Sequence, residues 1–455
     1  MPAAWARLAP ITLCLLLHAA APQTARAQAS GAQGDGLARA AALIGEDRLA
    51  EAERLLDAAL RAAPGDALAL NLLGTVRAKQ GRLDEAEALF TRAVRADRGF
   101  VGAHMNLAYL HLLRGAPEKT AAALREVLRL DPANADAAQK LARLLYARGR
   151  LEECVRLVEG ERRAGRLTPA LAAVLGDARL KQGDAGAAEE MYLLALAAPS
   201  PAAEALLGMA QVNQSRGDAR SAALYLARAR EFVGDSHELL FRFAVAALKA
   251  SMYEEARAAL ERAARLAPAE PAYRVALGAV WLKKPDLFEA ERAFREALRL
   301  GPADPRAQMY LGYTLLKQKK TEEARALLEQ SARGDATSAE TFYYLGLAAQ
   351  EQGEDARAVE HFAKAVRLLP SFANAHVALG SVYLKLKDYA RARAALEEGV
   401  RLNPEDSKAH YNLARLYAQL KDPRRARAEM EIVERLKNEG KAETEDAGAP
   451  PPAPR

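Results

Sequence analysis

Two columns of small residues recur every 34 positions along this chain, and they constrain its fold more than any other feature. Counting in steps of 34 in both directions from one glycine meets only glycine or alanine: Ala40, Gly74, Ala108, Ala142, Gly176, Ala210, Ala244, Gly278, Gly312, Gly346, Gly380 and Ala414. Twelve residues after each lies a second column, in which all but two members are alanine: Ala52, Ala86, Thr120, Cys154, Ala188, Ala222, Ala256, Ala290, Ala324, Ala358, Ala392 and Ala426. No insertion or deletion interrupts this frame over residues 33–440. An unbroken period of this length predicts a tandem array of one structural unit.

Each unit contains two apolar-periodic segments whose apolar positions lie three and four residues apart, the spacing of amphipathic helices. In the second unit these segments run over 68–79 and 84–96, and Gly81 between them supplies the left-handed backbone that ends a helix. Prolines are expected to end the second helix of several units, at Pro132, Pro268, Pro302, Pro370 and Pro404. The small columns predict close helix crossings, so each unit should be a helical hairpin that buries its faces only by stacking on its neighbours.

The pattern resembles the tetratricopeptide repeat, with a small residue at position 8, Leu or an aromatic residue at 11 and 24, Ala at 20 and 27, and Pro at 32. Residues 339–372 show it best, through Gly346, Ala358, Phe362, Ala365 and Pro370. The resemblance implies an all-α fold, a right-handed superhelical solenoid of about twelve helix-turn-helix repeats. Repeats 1 to 12 are expected at 33–66, 67–100, 101–134, 135–168, 169–202, 203–236, 237–270, 271–304, 305–338, 339–372, 373–406 and 407–440.

Repeat 4 departs from the pattern, because Glu161 and Arg166 stand where the alanine of position 27 and the proline of position 32 belong. Stability in a repeat array is close to a sum of nearest-neighbour terms. We therefore predict a soft joint at residues 150–168, among the segments least protected from hydrogen exchange.

The two ends of the chain differ from the repeats. Arg7 precedes an apolar run over 8–21, and Ala25-Arg26-Ala27 is a small-x-small cleavage pattern, so residues 1–27 are predicted to be a secretory signal peptide cleaved near Ala27 or Ala29. The run is too short for a comfortable bilayer span, and an uncleaved anchor is the alternative. A linker at 28–32 and a disordered Pro- and Ala-rich tail at 441–455 complete the chain. We expect a periplasmic or secreted protein of an exported bacterial type, without a membrane span after cleavage.

Composition excludes several classes of function. The net charge of +6 is near balance for 455 residues, which gives no indication of nucleic-acid binding. Cys154 falls in a small column and has no disulfide partner once Cys14 leaves with the signal, so an inert buried thiol is expected. No phosphate-binding loop or His-Glu-x-x-His motif occurs, and we predict neither catalytic residues nor a cofactor. His376 and His410 share position 4 of adjacent repeats, where packed histidines are favoured over a metal pair.

The family resemblance implies that first helices line a groove through positions 2, 5, 6, 9, 12 and 13. Tyr310, Tyr313, Tyr343 and Tyr344 occupy such positions in repeats 9 and 10, and Phe241 does so two repeats earlier than Tyr310. Aromatic rings of this kind serve as anchors for a partner, and the alternative is that some of them pack between helices. A lysine column also occupies position 13: Lys79, Lys181, Lys249, Lys283, Lys317 and Lys385. This column is either a solvated edge or a basic stripe that faces an acidic peptide, for which Lys249, Lys283, Lys317 and Lys385 are the candidates.

These features together favour a non-catalytic scaffold of the cell envelope that binds protein or peptide partners in the groove. The alternative is a periplasmic subunit of a polysaccharide or protein export or assembly system. A groove for sugar polymers would expose tryptophan, whereas Trp5 lies in the predicted signal peptide and Trp281 at a core position. A protein or peptide ligand is therefore favoured.

Overall fold

The computed structural model describes residues 32–198 and 202–438, and this part of the chain contains 24 α-helices and no strand. The helices are α1 Ala32–Gly45, α2 Leu49–Ala62, α3 Ala67–Lys79, α4 Leu83–Ala96, α5 Val101–Leu113, α6 Pro117–Leu130, α7 Ala135–Ala147, α8 Leu151–Arg163, α9 Pro169–Lys181, α10 Ala185–Ala197, α11 Ala203–Ser215, α12 Ala219–Val233, α13 His237–Lys249, α14 Tyr253–Leu266, α15 Pro271–Lys283, α16 Leu287–Leu300, α17 Pro305–Lys317, α18 Thr321–Gly334, α19 Ala339–Glu351, α20 Asp355–Leu368, α21 Ala373–Lys385, α22 Tyr389–Leu402, α23 Ser407–Gln419 and α24 Pro423–Asn438. The predicted signal peptide, the C-terminal tail and most of the linker lie outside these residues.

The helices end where the local sequence supplies caps and turns. Side chains at the residue before several first helices accept a backbone N–H three residues on, as Asp66 does from Ala69 at 2.9 Å. Between the two helices of a repeat, the residue at position 15 takes a positive φ, which is 76° at Gly81 and 75° at Gly353. This left-handed residue reverses the chain into the second helix, as the sequence predicts.

The small columns are the points where the two helices of a repeat cross. A Cβ atom added at Gly346 would lie 2.5 Å from the ring of Phe362, and one added at Gly74 would lie 2.6 Å from Phe90. The second column is equally enclosed, since Ala358 has no exposed surface. Position 8 is therefore small because the position 24 ring of the same repeat fills the space beside it.

The contacts divide the chain into two compact units, an N-terminal unit up to Val212 and a C-terminal unit from Asn213. Within each unit, successive hairpins pack in chain order, and first helices of neighbouring repeats touch, as α3 touches α5 and α15 touches α17. Buried apolar residues run along each stack as a series of clusters. The prediction of an all-α repeat solenoid is confirmed.

Repeat 4 replaces its missing alanine and proline with an ion pair. Glu161 is buried, and its carboxylate accepts a hydrogen bond from Arg166 Nε at 2.8 Å. Thr168 then begins the next helix by accepting the backbone N–H of Leu171 at 3.2 Å. The soft joint at 150–168 stays a prediction.

Candidate functional site

Neighbouring first helices lie side by side within each unit, so positions 2, 5, 6, 9, 12 and 13 of these helices follow one another along the stack. We call this surface the first-helix face. Side chains at these positions belong to contiguous helices, so they can act on one extended ligand. The predicted partner-binding residues all lie on this face.

The four candidate tyrosines are buried rather than exposed on the face. Tyr310, Tyr313, Tyr343 and Tyr344 are each 4% exposed or less and belong to one hydrophobic cluster. The Tyr313 and Tyr344 ring centroids lie 4.8 Å apart, and those of Tyr343 and Tyr344 lie 5.4 Å apart. Burial raises the pKa of Tyr310 to about 12. The structure therefore packs these rings within the array, and their role in partner binding stays a prediction.

The burial follows from the size of the rings at their repeat positions. Position 6 of one repeat faces position 24 of the repeat before it, so Tyr310 stacks on Phe294 with centroids 5.4 Å apart and planes inclined by 5°. Tyr344 likewise packs on Tyr313 of the repeat before it, with centroids 4.8 Å apart, whereas Tyr343 contacts Phe372 of its own repeat at 5.0 Å. A large ring on the first-helix face therefore reaches the neighbouring repeat and becomes part of the core between repeats.

Phe241 is separate from this cluster. Its ring packs against Tyr273 with centroids 5.2 Å apart, and it is only partly buried. Tyr273 also holds His237, whose Nδ1 lies 2.6 Å from the tyrosine hydroxyl. Phe241 thus remains partly available to a ligand, which distinguishes it from the four tyrosines.

The lysine column divides into two kinds of residue. Lys385 pairs with Asp355 at 2.7 Å, and Lys79 pairs with Asp47 at 2.9 Å. Lys317 lies over the ring of Tyr313, with Nζ 5.6 Å from the centroid. Lys249 and Lys283 are exposed, and neither makes an ion pair or hydrogen bond with any part of the chain that the structure describes. A uniform basic stripe is therefore not what the column forms.

In the N-terminal unit, the first-helix face carries polar residues that pair with one another. Lys140 forms an ion pair with Asp136 at 2.9 Å and lies over the ring of Tyr109, whose hydroxyl donates to Asp136 at 2.7 Å. Arg143 reaches across a repeat to Glu204 at 2.8 Å. The charges on this part of the face are thus largely satisfied internally.

A partly buried carboxyl group lies in the same region. Asp177 accepts a hydrogen bond from the hydroxyl of Tyr192 at 2.7 Å, and desolvation raises the pKa of Asp177 to about 6, an effect that this hydrogen bond opposes. Tyr192 occupies position 24, where most other repeats carry phenylalanine or leucine. A Cβ added at Gly176 would lie 2.5 Å from its ring. Sequence reasoning missed this pair, although a tyrosine at position 24 beside an aspartate at position 9 was a usable signal.

A second missed residue is Arg242, at position 6 of repeat 7. Its side chain is exposed, yet the surrounding protein lowers the pKa of the guanidinium through desolvation. The signal in the sequence was a cation at a position that elsewhere holds mainly apolar or small residues.

Groups suited to catalysis or to metal binding are not brought together. No set of three or more His, Cys, Asp or Glu residues is arranged to hold a metal within the described ranges. His410 Nδ1 lies 2.6 Å from Glu429, and His376 Nε2 lies 2.9 Å from the carbonyl oxygen of Pro370. Cys154 is buried, and desolvation raises the pKa of its thiol to about 11. Among the described helices, none has the length and apolar character needed to cross a bilayer.

Family models recognise this repeat array. A tetratricopeptide repeat model matches residues 37–100, 241–305, 286–339, 311–373, 343–398 and 377–439, and a second tetratricopeptide model matches 111–178. The first model alone covers more than half of the chain, so the chain belongs to the tetratricopeptide repeat family. Proteins of this family are generally scaffolds for protein interaction, and protein partners follow from the assignment. None of the curated proteins matches the chain.

Several solved structures are similar to this chain at low identity. The protein in "Functional Characterization of Pseudomonas Aeruginosa pilF" is 21% identical, with 44% of this chain and 92% of that chain covered at a TM-score of 0.41. A chain of the APC/C hetero-tetramer Cut9-Hcn1 is 14% identical, with 90% and 94% covered at 0.48. Yeast Tom70 is 14% identical, with 89% and 92% covered at 0.43. At these TM-scores the similarities add nothing to the family assignment.

Proposed function

We propose that this protein is a non-catalytic scaffold of the cell envelope, and that it binds protein or peptide partners along its first-helix face. The observation that carries the proposal is the unbroken succession of first helices within each unit. An extended ligand can contact several repeats in turn on such a surface, and each repeat adds a small term to the affinity.

The face has the mixed character of a protein-binding surface. In the C-terminal unit, Phe241 offers a partly exposed ring, and Lys249 and Lys283 offer charges beside it along the stack. Aromatic and cationic groups on one face are suited to binding a peptide chain.

The envelope location is supported by the N-terminal sequence alone. Residues 1–27 have the charge, apolar run and small-residue site of an exported precursor. A direct check is to locate the whole chain by fractionation, with N-terminal sequencing of the product. Cleavage after Ala27 or Ala29 in the envelope fraction is the expected result, and an intact chain in the cytoplasmic fraction would remove this part of the proposal.

Site-specific photo-cross-linking tests the binding face. A photoreactive residue replaces Lys283 on the first-helix face in one version of the chain and Phe288, which is 79% exposed on the next second helix, in the other. Both are incubated with envelope extract and irradiated, and adducts are identified by mass spectrometry. We expect a reproducible protein adduct at position 283 and little at 288.

The opposite pattern, with adducts only at 288, would place the partner on the second helices and overturn the proposed face. Absence of any protein adduct, together with retention of the chain on envelope polysaccharide, would favour an export-system subunit instead. The two positions lie five residues apart and both face solvent, so general stickiness of the chain affects them equally.

A further inference from the structure

Cations on the first-helix face are treated differently in the two units. Among the described residues of the N-terminal unit, every Lys or Arg on this face has a partner. Lys79 pairs with Asp47, Lys140 with Asp136 and Arg143 with Glu204. Lys181 lies over the ring of Tyr146, with Nζ 5.2 Å from the centroid. This part of the face therefore presents little unbalanced positive charge to a ligand.

In the C-terminal unit, a group of basic side chains on the face lacks such partners. Arg242, Lys249 and Lys283 lie in repeats 7 and 8, and their side chains make no hydrogen bond or ion pair within residues 213–438. Arg306, at position 2 of repeat 9, extends the group, since only its backbone N–H is engaged, by Asp304. We call Arg242, Lys249 and Lys283 the basic triad.

Of the three residues of the triad, Arg242 has the surroundings best suited to binding a ligand. Position 6 is buried in the four repeats that follow, where it holds Ala276, Tyr310, Tyr344 and Ala378. An arginine at such a site buries its stem and turns the guanidinium outward. Its side chain forms no ion pair with a carboxylate of the described residues, and desolvation lowers the pKa of the guanidinium.

The only acidic residue of helix α13 does not neutralise the charge of the Arg242 guanidinium. Glu238 lies one turn before Arg242, but its carboxylate contacts His237 Nε2 at 3.2 Å instead. The guanidinium keeps its five N–H donors free of side-chain acceptors. A partly desolvated cation with unused donors favours a carboxylate, which can accept two of them in a bidentate pair.

The spacing of the triad matches an extended chain. Lys249 lies seven residues after Arg242 on the same helix, about 10 Å along one face. Lys283 has the equivalent position on the adjoining first helix, and packed helices lie about 8–10 Å apart. In a polyproline II segment, an extended form with three residues per turn, residues three apart lie on one side and are separated by about 9 Å. Acidic residues at that interval can therefore pair with successive members of the triad.

We propose that the basic triad of repeats 7 and 8 is a docking site for an extended acidic peptide segment of a partner protein. The proposal rests on the proposed scaffold function and specifies the chemistry of the ligand. The partly exposed Phe241 ring, on the same helix as Arg242 and Lys249, contacts the apolar part of the segment.

Binding of a defined probe tests the site. The probe is a fluorescein-labelled Gly/Ser peptide of about twelve residues with glutamate at every third position, and its control carries glutamine at those positions. Fluorescence anisotropy measures binding of both peptides to the whole chain. A triad variant (Arg242→Gln, Lys249→Gln, Lys283→Gln) is compared with a matched variant (Lys79→Gln, Lys181→Gln, Lys385→Gln).

The matched variant loses the same charge from the same lysine column, but from residues that already have partners. We expect the acidic peptide to bind the unmodified chain more tightly than the glutamine peptide, and increasing salt to weaken it. The triad variant should lose about tenfold or more in affinity, and the matched variant should change by about twofold or less.

Equal loss in the two variants would show attraction to net charge and overturn the site. Acidic and glutamine peptides that bind equally, or no binding of the acidic peptide, would overturn it too. Circular dichroism verifies that the variants stay helical. If the triad variant loses helix, the double variant Lys249→Gln, Lys283→Gln, which changes only exposed lysines, replaces it in the comparison. A photo-cross-linked protein adduct at position 283, together with no binding of the acidic peptide, would support the proposed scaffold function. It would contradict only the proposal that the ligand is acidic.

Discussion

The first-helix face of the N-terminal unit and that of the C-terminal unit are built on the same repeat, yet they use their side chains in opposite ways. In the first, tyrosines at the edge donate to carboxylates and lie under lysines, as Tyr109 does with Asp136 and Lys140. In the second, tyrosines pack on one another in the core, as Tyr313 does with Tyr344, while the basic triad forms no ion pair within residues 213–438.

The difference teaches that the repeat frame determines helix positions but leaves the chemistry of its surface open. Where no carboxylate pairs with the cations of the face, as in repeats 7 and 8, their charges remain available to a ligand. Where carboxylates are present between repeats, cations are neutralised within the molecule. Binding capacity is thus set by which residues pair inside the array.

Truncation to alanine of the equivalent tyrosine in each unit tests this comparison. Of the predictions made, it has the largest expected effect. Tyr313 and Tyr109 both occupy position 9, but the first is 4% exposed and the second only half-buried. We expect Tyr313→Ala to lower the free energy of unfolding by about 3–5 kcal/mol and Tyr109→Ala by about 1–2 kcal/mol, measured by urea unfolding. Equal losses would break the distinction between core and edge rings.

The partly buried carboxyl group of Asp177 in the N-terminal unit gives a pH-dependent effect. The pKa of Asp177 is raised to about 6, above its ordinary value, so the folded chain binds a proton more strongly and gains stability as pH falls through 6. Burial of the ionised Asp177 carboxylate lowers the free energy of unfolding by up to about 3 kcal/mol at pH 7. Protonation of the carboxylate restores about 1 kcal/mol of this by pH 5.

Asp177→Asn should therefore be more stable than the unmodified chain at pH 7, with a smaller advantage at pH 5. Because the two chains share every other titrating group, the difference between their urea midpoints isolates this one. A difference that does not change with pH would contradict the assigned burial.

Hydrogen exchange of matching second helices sharpens the comparison within the repeats. Helix α8 of repeat 4 holds the Glu161–Arg166 ion pair in place of the usual small residue and proline, whereas α20 of repeat 10 has both. We expect amides of 151–163 to open with a free energy lower by about 1 kcal/mol or more than those of 355–368. Equal protection would reject the soft joint.

The smallest effect concerns the turn at position 15, which is glycine in most of the N-terminal repeats and lysine in several C-terminal ones. Lys387 has φ 61°, a left-handed conformation that favours glycine, while Gly149 has φ 72°. Lys387→Gly should stabilise the chain by up to about 1 kcal/mol, and Gly149→Lys should destabilise it by a similar amount in thermal unfolding. A loss in both would show that Lys387 contributes more than its backbone.

The sequence predicted the hairpins, their turns and the buried Cys154, because period, glycine placement and small columns act locally. It did not predict that Tyr310 and Tyr344 are buried, because position alone says nothing of how far a ring reaches onto the next repeat. The ion pairs of Lys79 and Lys385 could have been predicted from the sequence. Asp47 lies 32 residues before Lys79, and Asp355 lies 30 residues before Lys385. Lys249 and Lys283 have no acid at those distances. Charge complementarity between repeats was therefore the missing criterion.

The most direct test of the account is hydrogen exchange of the whole chain with and without the acidic peptide. With the peptide bound, we expect added protection from hydrogen exchange in 237–249 and 271–283, the two first helices that carry the basic triad. We expect no added protection in 67–79 or 135–147. Protection confined to the N-terminal first helices, or to second helices in either unit, would contradict the claim that unpaired cations define the binding face.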